Sequence, residues 1–135
     1  MKKLSFFLMA MLISLVSFAT EVSIDLSAQS YTNGQEITSV SLDDAVTVAF
    51  NKGTNTNTPK YYNTGKAVRV YGGGYFTITT TTGQLTKIEL TFSAGEGTNE
   101  ITVDAGSYAT GTWTGQAGTV KFTVGGTSGH RRIQK

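Results

Sequence analysis

The chain has 135 residues, 11 of them basic and 9 acidic, with one histidine, 16 glycines, one proline and no cysteine. Without cysteine there is no thiol nucleophile and no disulfide staple, so the domain must hold together by packing. A charge so close to balance disfavours nucleic acid, whose phosphate backbone calls for a basic stripe.

Residues 1–19 have the three parts of a secretory leader. Lys2 and Lys3 precede an apolar run from Leu4 to Val16, and Ser17 and Ala19 are small residues before a cut at Ala19/Thr20. The run is short for a spanning helix, which needs roughly 20 residues. No cysteine follows it to carry a lipid. The expectation is an exported protein, periplasmic, secreted or at the cell surface, with no membrane insertion once the leader is removed. Taking Lys2 and Lys3 from the 11 basic residues leaves 9 against 9, so the net charge of +2 belongs to the leader. Residues 20–135 then form one domain with a modest core.

Within that domain, Val22 to Leu26 alternates as a first strand. Asn33-Gly34 is a turn dipeptide. Glu36 to Leu42 is a weaker strand with Ile37 facing in, and Asp43-Asp44 turns the chain into the strand Val46 to Phe50. Residues 51–58, NKGTNTNT, are the most polar segment and read as a surface loop. Pro59 favours an extended Thr58.

Lys60 to Thr79 carries most of the chemistry. In Ala67 to Tyr71, Val68 and Val70 alternate with Arg69 and Tyr71; in Tyr75 to Thr79, Phe76 and Ile78 alternate with Tyr75, Thr77 and Thr79. Strand geometry sends each set to one face. Gly72-Gly73-Gly74 between the runs suits a hairpin loop. Such a hairpin would put Tyr71 and Tyr75 side by side on the outer face, with Arg69 and Thr77 as the next rung. Cross-strand aromatic pairs can also serve only to stabilise a hairpin, by about 0.2–1 kcal/mol.

Beyond Gly83, Leu85 to Ser93 reads as a long strand with Ile88, Leu90 and Phe92 inward. A glycine-rich loop, 94–99, leads to Ile101 to Val103. Trp113 lies between Gly111 and Gly115, Val120 to Val124 alternates again, and Gly125-Gly126 turns into a final segment with one inward residue. About eight to ten short strands with regular turn signals and no sustained helical period point to an all-β fold, an antiparallel two-sheet β-sandwich, jelly-roll-like.

Tyr61 to Gly73, together with Val48 to Gly53, Leu85 to Phe92, Gly111 to Gly115 and Thr127 to Lys135, resembles a module of secreted and surface proteins from Bacteroidetes-type gut bacteria. The resemblance covers most of the domain. It implies a carbohydrate-binding or adhesive appendage of jelly-roll type, and a last strand that runs on past Lys135, so that this chain would be truncated there.

Catalysis is poorly supplied. His130 is the one available imidazole and reads as a surface residue of the last turn; the acids Asp25, Asp43, Asp44, Glu89, Glu96, Glu100 and Asp104 sit on outer faces or in loops with nothing to pair them. The expectation is no enzyme and no cofactor. A structural Ca²⁺ at Asp43-Asp44 or between Glu96 and Asp104 would lack the spacing of a calcium loop. Sugar binding uses the most features: aromatic rings can stack on a pyranose while arginine and asparagine bond its hydroxyls. The candidate surface is Arg69, Tyr71 and Tyr75, with Tyr61, Tyr62 and Asn63 beside the first strand of the hairpin. Trp113 is either an exposed stacking ring or part of the core. The alternative is an adhesive module that pairs strand edges with surface proteins or with itself, through its threonine-rich strand or an incomplete final strand.

Overall fold

A computed structural model describes residues 19–95 and 97–135. The expected leader, apart from its last residue, lies outside that range. Eleven strands are described: β1 (Ser39–Ser41), β2 (Val46–Asn51), β3 (Lys60–Tyr62), β4 (Ala67–Tyr71), β5 (Tyr75–Thr80), β6 (Leu85–Glu89), β7 (Ile101–Val103), β8 (Ser107–Ala109), β9 (Thr112–Ala117), β10 (Thr119–Val124) and β11 (His130–Ile133). They form three antiparallel sheets, ordered β1-β2-β5-β10-β7, β11-β4-β3 and β6-β9-β8. The all-β class and its antiparallel sheets packed on a shared core are as the alternation predicts.

The core is built from inward rows of the five-stranded sheet. Register places Phe50, Phe76 and Phe122 side by side on β2, β5 and β10, with Val48, Ile78 and Val120 as the next row. The Phe76 and Phe122 rings stack at 4.9 Å. Tyr108, from the sheet of β6, β9 and β8, packs edge-on to Phe122 at 5.7 Å and ties the layers together. Val68 and Val70 of β4 and Ile133 of β11 close the core from the third sheet.

Three local expectations are corrected. Val22 to Leu26 has no strand partner: the in-and-out burial is present, but Asp25 accepts from the Ser27 amide at 2.8 Å and starts a short 3₁₀ turn, Leu26–Ala28. Leu85 to Ser93 is not one strand. It ends as β6 at Glu89, and beyond it the chain pairs with the C-terminal segment, Phe92 bridging Ile133 and the Thr91 amide donating to the Lys135 carbonyl at 2.7 Å. The last strand is therefore paired with β4 along its length and bordered on its other side, at its C-terminal end, by residues 91–93.

The third correction matters most. β4 and β5 do not form a hairpin. β4 lies between β11 and β3, whereas β5 lies between β2 and β10 in a different sheet. Gly72-Gly73-Gly74 is a crossing between layers. Gly73 has φ +86°, and its carbonyl receives the Thr54 amide at 3.1 Å, while the Gly72 amide donates to the Gly129 carbonyl at 3.0 Å. A side chain at Gly72 would meet the backbone of residues 125, 126 and 128, so the crossing needs glycine to be clasped this closely.

Candidate functional site

Strand alternation on β3 and β4 decides which side chains face out. Tyr61 pairs with Val68 and points inward, where it is 4 % exposed and packs against Tyr31 at 5.5 Å. It therefore cannot join Tyr62 on an outer surface, because successive residues of a strand face opposite ways. Trp113 is also inside, at 0 % exposure, and its indole N–H donates to the Ala105 carbonyl at 2.6 Å. Side chains at Gly106 and Gly115 would collide with its ring. Those glycines make room to bury the ring rather than to hold it out.

Tyr62, Arg69 and Tyr71 do come together. All three lie on the outer face of the β11-β4-β3 sheet. Tyr62 and Tyr71 lean towards each other over Arg69, with their hydroxyls 3.3 Å apart. The Arg69 guanidinium sits 4.2 Å from the centre of the Tyr62 ring, a cation–π contact. The Arg69 Nε is shut off from solvent and has no hydrogen-bond partner. Burial raises the Tyr71 phenol above its ordinary pKa, helped by its bond to Tyr62 and opposed by Arg69.

Beside Tyr71 stands His130, its partner across β11, with the two rings edge-on at 5.9 Å. The sequence reading set His130 aside as a turn residue. Burial, followed by the positive charges of Arg69 and Arg132, holds its pKa below the ordinary value.

The other two candidates lie elsewhere. Asn63 is exposed in the turn after β3, and its amide donates to the Asn33 side chain at 2.9 Å. Tyr75 is on the outer face of the five-stranded sheet, where the Lys121 ammonium lies 5.3 Å from its ring. The two tyrosines expected to flank one loop are on two different sheets.

A groove of about 420 Å³ opens next to Tyr71. Thr54, Asn55, Thr56 and Asn57 form one wall and Thr127, Ser128 and Gly129 the other, with Tyr71 and Gly72 between. The walls are fixed from behind. The Asn55 side-chain amide donates to the Gly72 carbonyl at 2.7 Å, and its Oδ1 accepts the Asn57 amide at 2.8 Å. The opposite turn is held by Asn99, whose side-chain amide donates to the carbonyls of Gly125 at 2.8 Å and Ser128 at 2.7 Å. Hydroxyls and amides on rigid loops around one aromatic ring suit a polyhydroxylated ligand. None of these wall residues was singled out from the sequence, although the run NKGTNTNT was the available signal. The opposite wall is placed by contacts dozens of residues apart.

Among the described residues, no cluster of three or more histidine or acidic side chains is arranged to hold a metal ion. Asp43 serves its own turn, accepting the amides of Ala45 and Val46 at 2.8 and 2.6 Å. Glu96, one end of the other acidic region weighed for calcium, lies outside the described residues. No protein-family description, curated protein or solved structure matches this chain.

Proposed function

We propose that this protein is an exported, non-catalytic module that binds polysaccharide, holding a sugar in the groove between the 54–57 loop and the 127–129 turn against the ring of Tyr71. The observation that carries the reading is the groove itself, a concave site walled by threonine, asparagine and serine around one half-buried tyrosine. Sugars present hydroxyl edges and apolar C–H faces, so hydroxyls, amides and a ring are the groups that complement them. No carboxylate is among the lining residues, so the groove holds no acid–base pair for cleaving a glycosidic bond.

The strand-pairing alternative loses one of its named edges. The threonine-rich β5 is interior to its sheet, whereas β11 ends its sheet and is bordered beyond β4 at its C-terminal end alone. Only the three-residue strands β1 and β7 end the large sheet.

Affinity electrophoresis of residues 20–135 against a panel of soluble polysaccharides tests the proposal. Tyr71→Ala should weaken retardation about tenfold or more, corresponding to about 1.4 kcal/mol, while Tyr75→Ala leaves it unchanged and circular dichroism shows both variants folded. Retardation that survives Tyr71→Ala but disappears with Tyr75→Ala would move the site to the five-stranded sheet.

A further inference from the structure

Strand order β11-β4-β3 puts basic side chains in one cross-strand row. Arg69 on β4 pairs with Arg132 on one side and with Lys60 on the other, and all three share the outer face. Like charges directly opposite each other on a sheet repel. Arg132 is anchored, donating through Nη1 to the Ala94 carbonyl at 3.1 Å and through Nε to His130 at 3.1 Å. Arg69 and Lys60 are different. Neither Arg69 nor Lys60 forms an ion pair with a described carboxylate. Glu36 bridges Lys60 through the backbone at the sheet edge without forming an ion pair.

Arg69 is also drawn partly out of water beneath Tyr62 and Tyr71. A cation removed from solvent without a counter-charge costs free energy that a bound anion returns. The exported domain is neutral as a whole, so this concentration of positive charge is local and not a reflection of composition. His130 lies beside the same charges: burial first, and then Arg69 and Arg132, hold its pKa below the ordinary value. Tyr71 joins the two features: it lines the groove, and its hydroxyl meets that of Tyr62, whose ring holds the Arg69 guanidinium.

We infer that the sugar bound here is acidic, bearing carboxylate or sulfate groups that are met by Arg69 and Lys60 while its ring lies along Tyr71. This rests on the glycan-binding reading above.

Matched pairs of polymers test it: polygalacturonate against its methyl ester, and dextran sulfate against dextran, each run by affinity electrophoresis at low and high salt. An acidic member should bind at least tenfold more tightly than its neutral partner, with the advantage shrinking as salt screens the charges. Retention of only one acid type supports the inference and names the group. Lys60→Gln and Arg69→Gln should each remove most of that advantage. The single histidine gives a readout that needs no variant. Its NMR titration should shift to higher pH when the acidic polymer binds, because a nearby anion favours the imidazolium. Equal or tighter binding of the neutral polymers would overturn the inference and leave the glycan reading standing. No retardation by any polymer would overturn both. If inorganic sulfate at matched charge moved the His130 titration as far as the polymers, the site would bind free anions and the inference would fail.

Discussion

Tyr71 and Tyr75 are four residues apart, and both point outward from alternating strands, yet their surroundings have little in common. Around Tyr71 the outer face of the β11-β4-β3 sheet is crowded: a second tyrosine, two arginines, a lysine and a histidine meet beside a groove. Around Tyr75 the outer face of the five-stranded sheet is open and hydroxylic. Register aligns Ser41, Thr47, Thr79 and Thr119 across four strands, with Thr77 and Thr123 nearby. Outward pointing is thus a weak indicator of function. What separates the two faces is whether loops rise beside them. The loop 51–58 and the turn 125–129 both close on the glycine crossing at the Tyr71 end.

The largest effect should come from the other side of β5. Phe76→Ala removes a ring stacked on Phe122 and tilted against Phe50, and should cost about 3–5 kcal/mol. Tyr75→Ala, on the same strand, should fall within about 1 kcal/mol. Urea denaturation of the two variants measures the contrast, and comparable losses would mean that Tyr75 is structural.

Next is the clasp. A methyl group at Gly53, where φ is +55°, would collide with the Gly73 carbonyl oxygen. Gly53→Ala should cost about 2–4 kcal/mol from backbone strain and the forced displacement of the loop. It should also weaken polysaccharide binding, although residue 53 does not line the groove. Stability lost with binding intact would show that the loop wall is dispensable. The Tyr71→Ala and Tyr75→Ala comparison in binding, about tenfold against no change, is the third and most direct test of the difference between the faces.

The smallest effect is in pH. The folded state holds the His130 pKa below its ordinary 6.5, so the unfolded chain takes up that proton more readily. Stability present above about pH 6.5 should therefore decline as pH falls through the folded pKa of His130. The Asp25 carboxyl, held below 3.8 by its bonds to Ser27, acts only in a more acidic range. Thermal melts between about pH 7.5 and 5 should show a falling Tm, with a flatter slope in His130→Gln. An unchanged slope in that variant would remove His130 from the charged face.

Alternation alone made the strand faces legible. Val68 and Val70 inward with Arg69 and Tyr71 outward, and Phe76 and Ile78 inward with Tyr75 and Thr77 outward, follow from a period of two and are as expected. The same rule, applied to Lys60-Tyr61-Tyr62, separates the buried Tyr61 from the outward Tyr62. Trp113 was undecidable from its flanking glycines, because glycine can expose a ring or make space to bury it. Here Gly106 and Gly115 do the latter.

The sequence by itself determined an all-β chain and the inward and outward side of each strong strand. Tertiary structure decided which strands are neighbours. Three glycines serve equally well as a hairpin loop or as a crossing between layers, since both need only permissive backbone. The choice lies with partners far along the chain: β4 takes β11, and β5 takes β2 and β10. Each pairing buries an apolar face against residues dozens of positions away, and such long-range burial leaves no trace in local pattern. The groove beside Tyr71 and the basic row across Arg69 exist only because of those distant pairings.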